Sequence, residues 1–155
     1  MSSLNAVLTA WVRGTYAGAN DLSAVQAEFN ALSKSEITLT PGTSANNADL
    51  IFMDTRTIAA SSSENLDMAG SLVDPLGATL TFATIKAIYV KASSGNTNNV
   101  VVGGAGSNTL LGIFSDATDK IIVKPGGVFM WVAPATGAPV TASTGDILLV
   151  ANSGS

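Results

Sequence analysis

Turn-forming clusters punctuate this chain so often that the segments between them have room only for short elements. From residue 35 onward the interruptions are Pro41-Gly42, Ser61-Ser62-Ser63, Asp74-Pro75-Leu76-Gly77, SSGNTNN at 93–99, GGAGSN at 103–108, Pro125-Gly126-Gly127 and Thr136 to Pro139. Glycine supplies the positive φ that such turns need, proline fixes φ and withholds a donor, and Asn, Asp and Ser bond their own backbone. The intervening runs are rich in Val, Ile, Thr, Phe and Tyr, which fit a pleated, half-buried surface. This spacing predicts an all-β fold, a β-sandwich or jelly roll of about eight strands. No fixed-period repeat is present, which argues against a solenoid or propeller.

The strand candidates are 35–40, 50–58 (LIFMDTRTI), 65–69, 79–91, 100–102, 120–124, 128–133 and 146–151. Within IKAIYVK, Ile85, Ala87 and Tyr89 alternate with Lys86, Ile88 and Val90, which marks the clearest buried strand. Pro125-Gly126-Gly127 lies between two β-rich runs and predicts a hairpin. In VFMWVA, Val128, Met130 and Val132 oppose Phe129, Trp131 and Ala133, so both faces are apolar. One face is expected to build the core and the other to meet a partner or a second sheet.

Residues 1–34 precede this regular pattern and are expected to form an N-terminal arm or extension to a domain spanning 35–155. The segment 4–13 is a further strand candidate, weakened by its alanines. The segment 22–33 carries two readings. Ser23 with Gln26 fits a capping box, and Val25, Phe29 and Leu32 recur at helical spacing. Against this, Phe29, Ala31 and Ser33 alternate with Glu28, Asn30 and Lys34 at the period of a strand, with Leu32 out of phase. The two stay open.

Composition narrows the function. There is no cysteine, so no disulfide or thiolate chemistry, and no histidine, the commonest general base and metal ligand. Charged residues are only 12% of the chain, about half the usual share of roughly 25%, so the polar surface is mostly Ser, Thr, Asn and Gly. Neutral hydroxyls and amides lose less hydration than ions when covered, which suits a surface meant to meet neighbours. The seven Lys and Arg are dispersed, with no basic run to track a nucleic-acid backbone. No apolar stretch approaches the 18 residues of a membrane span, and no signal-peptide pattern opens the chain. Neither a nucleic acid nor a membrane is expected as a partner.

Each candidate for chemistry has a plainer explanation. Ser33-Lys34-Ser35 lacks the S-x-x-K spacing of a Ser–Lys pair, and strand neighbours point to opposite faces. Asp116 with Asp119, or Asp49 with Asp54, could serve as paired carboxylates, but DATD has the composition of an Asx-stabilised turn. Asp67, Asp74, Asp116, Asp119 and Asp146 could offer oxygens to Ca²⁺, but no D-x-D-x-D-G run is present. GGAG at 103–106 has neither the spacing nor the following helix of a phosphate loop. Trp11, Trp131, Tyr16, Tyr89 and Phe129 could stack on sugars, although a core or interface role suits them better. No catalytic, cofactor-binding or metal-ligating residue is assigned, no cofactor is expected, and the chain is read as a non-enzyme.

Several pieces carry a family resemblance: D-T-R-T-I-A at 54–59, E-N-L-D at 64–67, G-A-T-L-T-F-A-x-I-K-A-I at 77–88, S-D-A-T-D-K at 115–120, and K-P-G-G at 124–127 before an apolar strand. Over roughly residues 36–155 the chain resembles a family of small β-rich proteins from tailed bacteriophages and prophages. The resemblance implies a virion component made in the bacterial host cytoplasm. Its expected place is the capsid surface, as a head decoration or cement protein bound to the major capsid protein. Sparse charge predicts self-association, and analogy with cements at three-fold positions favours a trimer over a dimer. The candidate interface residues are Leu4, Val7, Leu8, Trp11 and Val12 of the arm, together with Phe129 and Trp131. The alternative is a tail-fibre or carbohydrate-binding β-sandwich module, for which the Asn-rich loops at 46–47 and 96–99 leave room.

Overall fold

The computed structural model describes residues 3–19, 24–30 and 34–154, and among them every regular element is a strand. The chain is all-β, as its punctuation predicts. Thirteen strands are described rather than about eight, because three of the additions are in the N-terminal extension and three strands are two-residue pairings.

The N-terminal strands form two small assemblies. β1 (Ala6–Ala10) pairs antiparallel with β4 (Ser35–Pro41), with Ala6 opposite Leu39 and Leu8 opposite Ile37. β5 (Asn47–Ala48) joins the far side of β4 in parallel, giving the order β1-β4-β5. Residues directly opposite share a face, so Ala6, Leu8, Ile37 and Leu39 make one apolar side, on which Leu39 is buried. The β1·β4 ladder crosses the 34/35 position at which the sequence divides arm from domain. β2 (Arg13–Ala19) and β3 (Ala24–Asn30) form a second ribbon of seven antiparallel pairs. Residues 24–30 of the ambiguous segment are therefore strand, while Ser23 and residues 31–33 lie outside the described residues. A helix of that length is marginal in water, and the ladder to β2 gives the strand its backbone partners.

The remaining strands surround the core. A four-stranded antiparallel sheet has the order β10 (Lys120–Val123), β9 (Val100–Gly103), β13 (Ile147–Asn152), β6 (Ser63–Asp67). Facing it is a long ribbon in two parts. β8 (Ala87–Lys91) pairs with β11 (Val128–Val132), and β7 (Thr84–Ile85) with β12 (Ala138–Pro139). Ala133 N–H donates to Lys86 C=O at 2.9 Å, ending the first part. Pro134 to Thr136 then loop out, and Gly137 N–H closes the loop on Ala133 C=O at 2.9 Å. Gly137 has φ +67°, a conformation glycine adopts without penalty. The ladder resumes with Ala138 opposite Ile85, so part of the expected 136–139 loop is strand.

Val102, Val123 and Leu148 from the four-stranded sheet and Ile85, Ala92 and Ala138 from the ribbon belong to one apolar cluster. Leu80, Leu110 and Phe114 from the connections fill it. Burying each large aliphatic side chain contributes about 1.5–3 kcal/mol, so this cluster is the main source of stability. The layout is one four-stranded sheet over shorter ribbons, not two equal four-stranded sheets.

Three expectations need correction. Pro125-Gly126-Gly127 does not close a hairpin, because β10 pairs with β9 while β11 pairs with β8. Lys124 to Gly127 is a tight turn, with Gly127 N–H on Lys124 C=O at 2.8 Å. Ala92 then captures the outgoing chain through Ala92 N–H to Gly127 C=O at 3.0 Å, so the turn carries the chain from one sheet to the other. Residues 50–58 belong to no strand, and no backbone–backbone hydrogen bond joins them to a neighbour among the described residues. IKAIYVK is not uniformly buried: Ile88 and Val90 pack on the core while Tyr89 is 61% exposed. The interruption at Lys86 shifts the phase, which puts Ile85 on the core side together with Ile88 and Val90.

Candidate interaction surface

Exposed large apolar side chains are spread along the described residues, and four of them fall within residues 7–16. Val7, Trp11, Val12 and Tyr16 are 63%, 50%, 67% and 75% exposed. Strand geometry explains Val7, which lies on the β1 face opposite the half-buried Leu4 and Leu8. Trp11 and Val12 occupy the short link between β1 and β2. The Arg13 guanidinium sits over the Trp11 ring at 4.9 Å, a cation–π contact at an indole that stays half exposed. Tyr16 lies between Gly14 and Gly18 on its strand, so no side chain flanks it along β2. The main apolar cluster draws no member from residues before Phe52 among the described residues. A backbone bond from Asn46 N–H to Pro134 C=O at 2.9 Å ties the N-terminal strands to the core region.

The seven candidate interface residues therefore separate into three groups. Val7, Trp11 and Val12 are at the surface. Leu4 and Leu8 are half-buried on the inner side of β1. Phe129 and Trp131 are half-buried and pack against the core cluster, so theirs is the core face of β11, and the neighbouring Val128 is the exposed one. Tyr16 escaped the interface set because its exposure depends on pairing that the sequence does not display; its flanking glycines were the available signal.

The groups that could carry chemistry are occupied by local structure. Asp116 Oδ1 accepts from Thr118 N–H at 2.9 Å and from Thr118 Oγ1 at 2.7 Å. These bonds hold the Asp116 carboxyl below its ordinary value. Asp119 Oδ2 accepts from Ser115 N–H at 3.1 Å and Asp116 N–H at 2.9 Å, so the pair closes the loop before β10. Asp54 goes to Arg56 at 3.3 Å, with Glu64 on the other side of the guanidinium. Lys34 pairs with Glu36 at 2.8 Å, and Ser33 lies outside the described residues. Asp67 accepts from Ala69 N–H, and Asp74 from Leu76 and Ala78 N–H, all at 2.8 Å. No three acidic side chains converge as a metal site among the described residues.

Asp146 is buried; its Oδ2 accepts from Ser143 N–H at 2.6 Å, and its Oδ1 has no partner among the described residues. The glycine-rich run at 103–106 serves packing: a Cβ on Gly103 would come within 2.5 Å of Asp119 O and 2.8 Å of the Phe114 ring. A shallow cavity of about 250 Å³, lined by Thr109, Leu111, Gly112, Pro139, Thr141, Thr144 and Gly145, contains no titratable side chain. No family model, curated protein or solved structure matches this chain.

Proposed function

We propose that this chain is a structural virion protein, a head decoration or cement subunit that binds the major capsid protein and associates with copies of itself. The observation that carries the reading is the exposure of Val7, Trp11, Val12 and Tyr16 along β1, β2 and the link between them, outside the main core cluster. Trp, Tyr and Arg are the residue types that most often anchor protein interfaces, and Trp11, Arg13 and Tyr16 stand close together in sequence. The low charge content supports a wide contact made by apolar burial and neutral hydrogen bonds. The resemblance of residues 36–155 to phage proteins supports the capsid as the partner.

The test is binding of the purified protein to phage heads that lack it. Attachment should persist in 1 M salt, where the Debye length falls to about 3 Å. Changing Trp11 and Tyr16 together to Ala should weaken it by about thirtyfold or more, the equivalent of one interface anchor worth about 2 kcal/mol. Release of the wild-type protein by moderate salt, or full binding by the double variant, contradicts the proposal.

A further inference from the structure

The β8·β11 ribbon has two apolar faces, and the core uses one of them. Ile88, Val90, Phe129 and Trp131 pack against the main cluster. Successive side chains of a strand point to opposite faces, so Ala87, Tyr89 and Lys91 of β8 and Val128, Met130 and Val132 of β11 share the other side. The register sets them in cross-strand pairs, Lys91 with Val128, Tyr89 with Met130 and Ala87 with Val132. Tyr89, Lys91 and Val128 are exposed, and Ala87, Met130 and Val132 are half-buried. This face is an apolar stripe that ends in a cation.

The charge along the ribbon has one sign. The turn that leads into β11 brings the exposed Lys124 to the Lys91 end, because Gly126 N–H donates to Ala92 C=O at 3.2 Å and Ala92 N–H to Gly127 C=O at 3.0 Å. Lys86 stands at the other end, where its ammonium donates to Ala135 C=O at 2.8 Å. Neither 75–115 nor 120–145, the stretches that supply the ribbon, contains Asp or Glu. Among the described residues, the ion pairs involve Lys34 and Arg56 and none of these three lysines.

Size and sign together select the occupant. Five paired residues at about 3.3 Å each, on two strands about 4.8 Å apart, make a face roughly 16 Å by 10 Å. That is far below the about 800 Å² per partner of a stable protein interface, so the face matches one extended segment rather than a second globular surface. The same face of a second copy would bring further lysines and no carboxylate. We propose that the outer face of β8 and β11 is a docking site for one extended segment of another protein, apolar at alternate residues and carrying carboxylates that meet Lys91 and Lys124. Tyr89 is its anchor, a residue type enriched where interfaces concentrate their binding energy. The site lies on the core ribbon, not on the strands that carry Trp11 and Tyr16, and its test uses no phage heads, so it stands or falls apart from the capsid reading.

The experiment uses full-length protein and labelled peptides of about eight residues, long enough to span the face. One alternates Val and Glu, and the other two have Gln or Lys in place of Glu. Fluorescence anisotropy should show the Glu peptide binding at least about tenfold more tightly than the Gln peptide, and the Lys peptide more weakly than either. Lys91→Glu should reverse the order of the Glu and Lys peptides, whereas Lys120→Glu, on the four-stranded sheet, should leave it unchanged. Tyr89→Ser should weaken the Glu peptide about tenfold with no change in melting temperature, because the ring is exposed and outside the core. Equal binding of the three peptides, binding of none, or an order that Lys91→Glu leaves intact overturns the proposal. So does sedimentation with phosphatidylglycerol vesicles that Tyr89→Ser abolishes, which would make an anionic membrane the occupant.

Discussion

Gly103 shows how a single residue can be constrained from a distance. It has φ +100°, and its missing Cβ makes room for the Phe114 ring and the Asp119 carbonyl. Gly103→Ala therefore meets backbone strain of about 1–3 kcal/mol plus a clash with a core aromatic. Chemical denaturation should show a loss of at least that size; an unchanged midpoint would mean that the ring is not held there. The sequence marked this run as a loop but gave no sign of why it needs glycine, because Phe114 and Asp119 come from a later segment. The aspartates were more legible. DATD has Asx-turn composition, and Asp116 and Asp119 each bond backbone N–H groups within four residues. Contacts that local can be read from spacing.

At the level of elements, alternation and turn chemistry located strands well and partners poorly. Residues 35–40, 100–102, 120–124 and 146–151 fall on β4, β9, β10 and β13 within a residue or two, because apolar alternation reports a half-buried surface directly. Pairing is non-local, so Pro125-Gly126-Gly127 looked like a hairpin while it connects two sheets. Residues 50–58 looked like a strand because their composition is one, but composition does not supply a neighbour. The turn gives a direct check. Replacing Pro125-Gly126-Gly127 by Asn-Gly, the favoured two-residue hairpin turn, removes the span between β10 and β11. The melting temperature should fall by several degrees, as expected for a loss of about 1 kcal/mol or more in a domain of this size. A rise would mean that the two strands can pair directly.

In the whole molecule, the main apolar cluster draws no member from the described N-terminal strands. The apolar cluster begins at Phe52 and closes through β13. Deleting residues 1–30 should therefore leave a cooperative β-rich unfolding transition while removing Val7, Trp11, Val12 and Tyr16, and with them head binding. Loss of the transition would place these strands in the fold itself. The capsid assignment is tested most directly by a cryo-EM reconstruction of the native particle. The account predicts density for this chain at regular positions on the head lattice, with the β1–β2 region against the major capsid protein. Density confined to the tail tip would contradict it, and the fibre or receptor-binding reading would take its place.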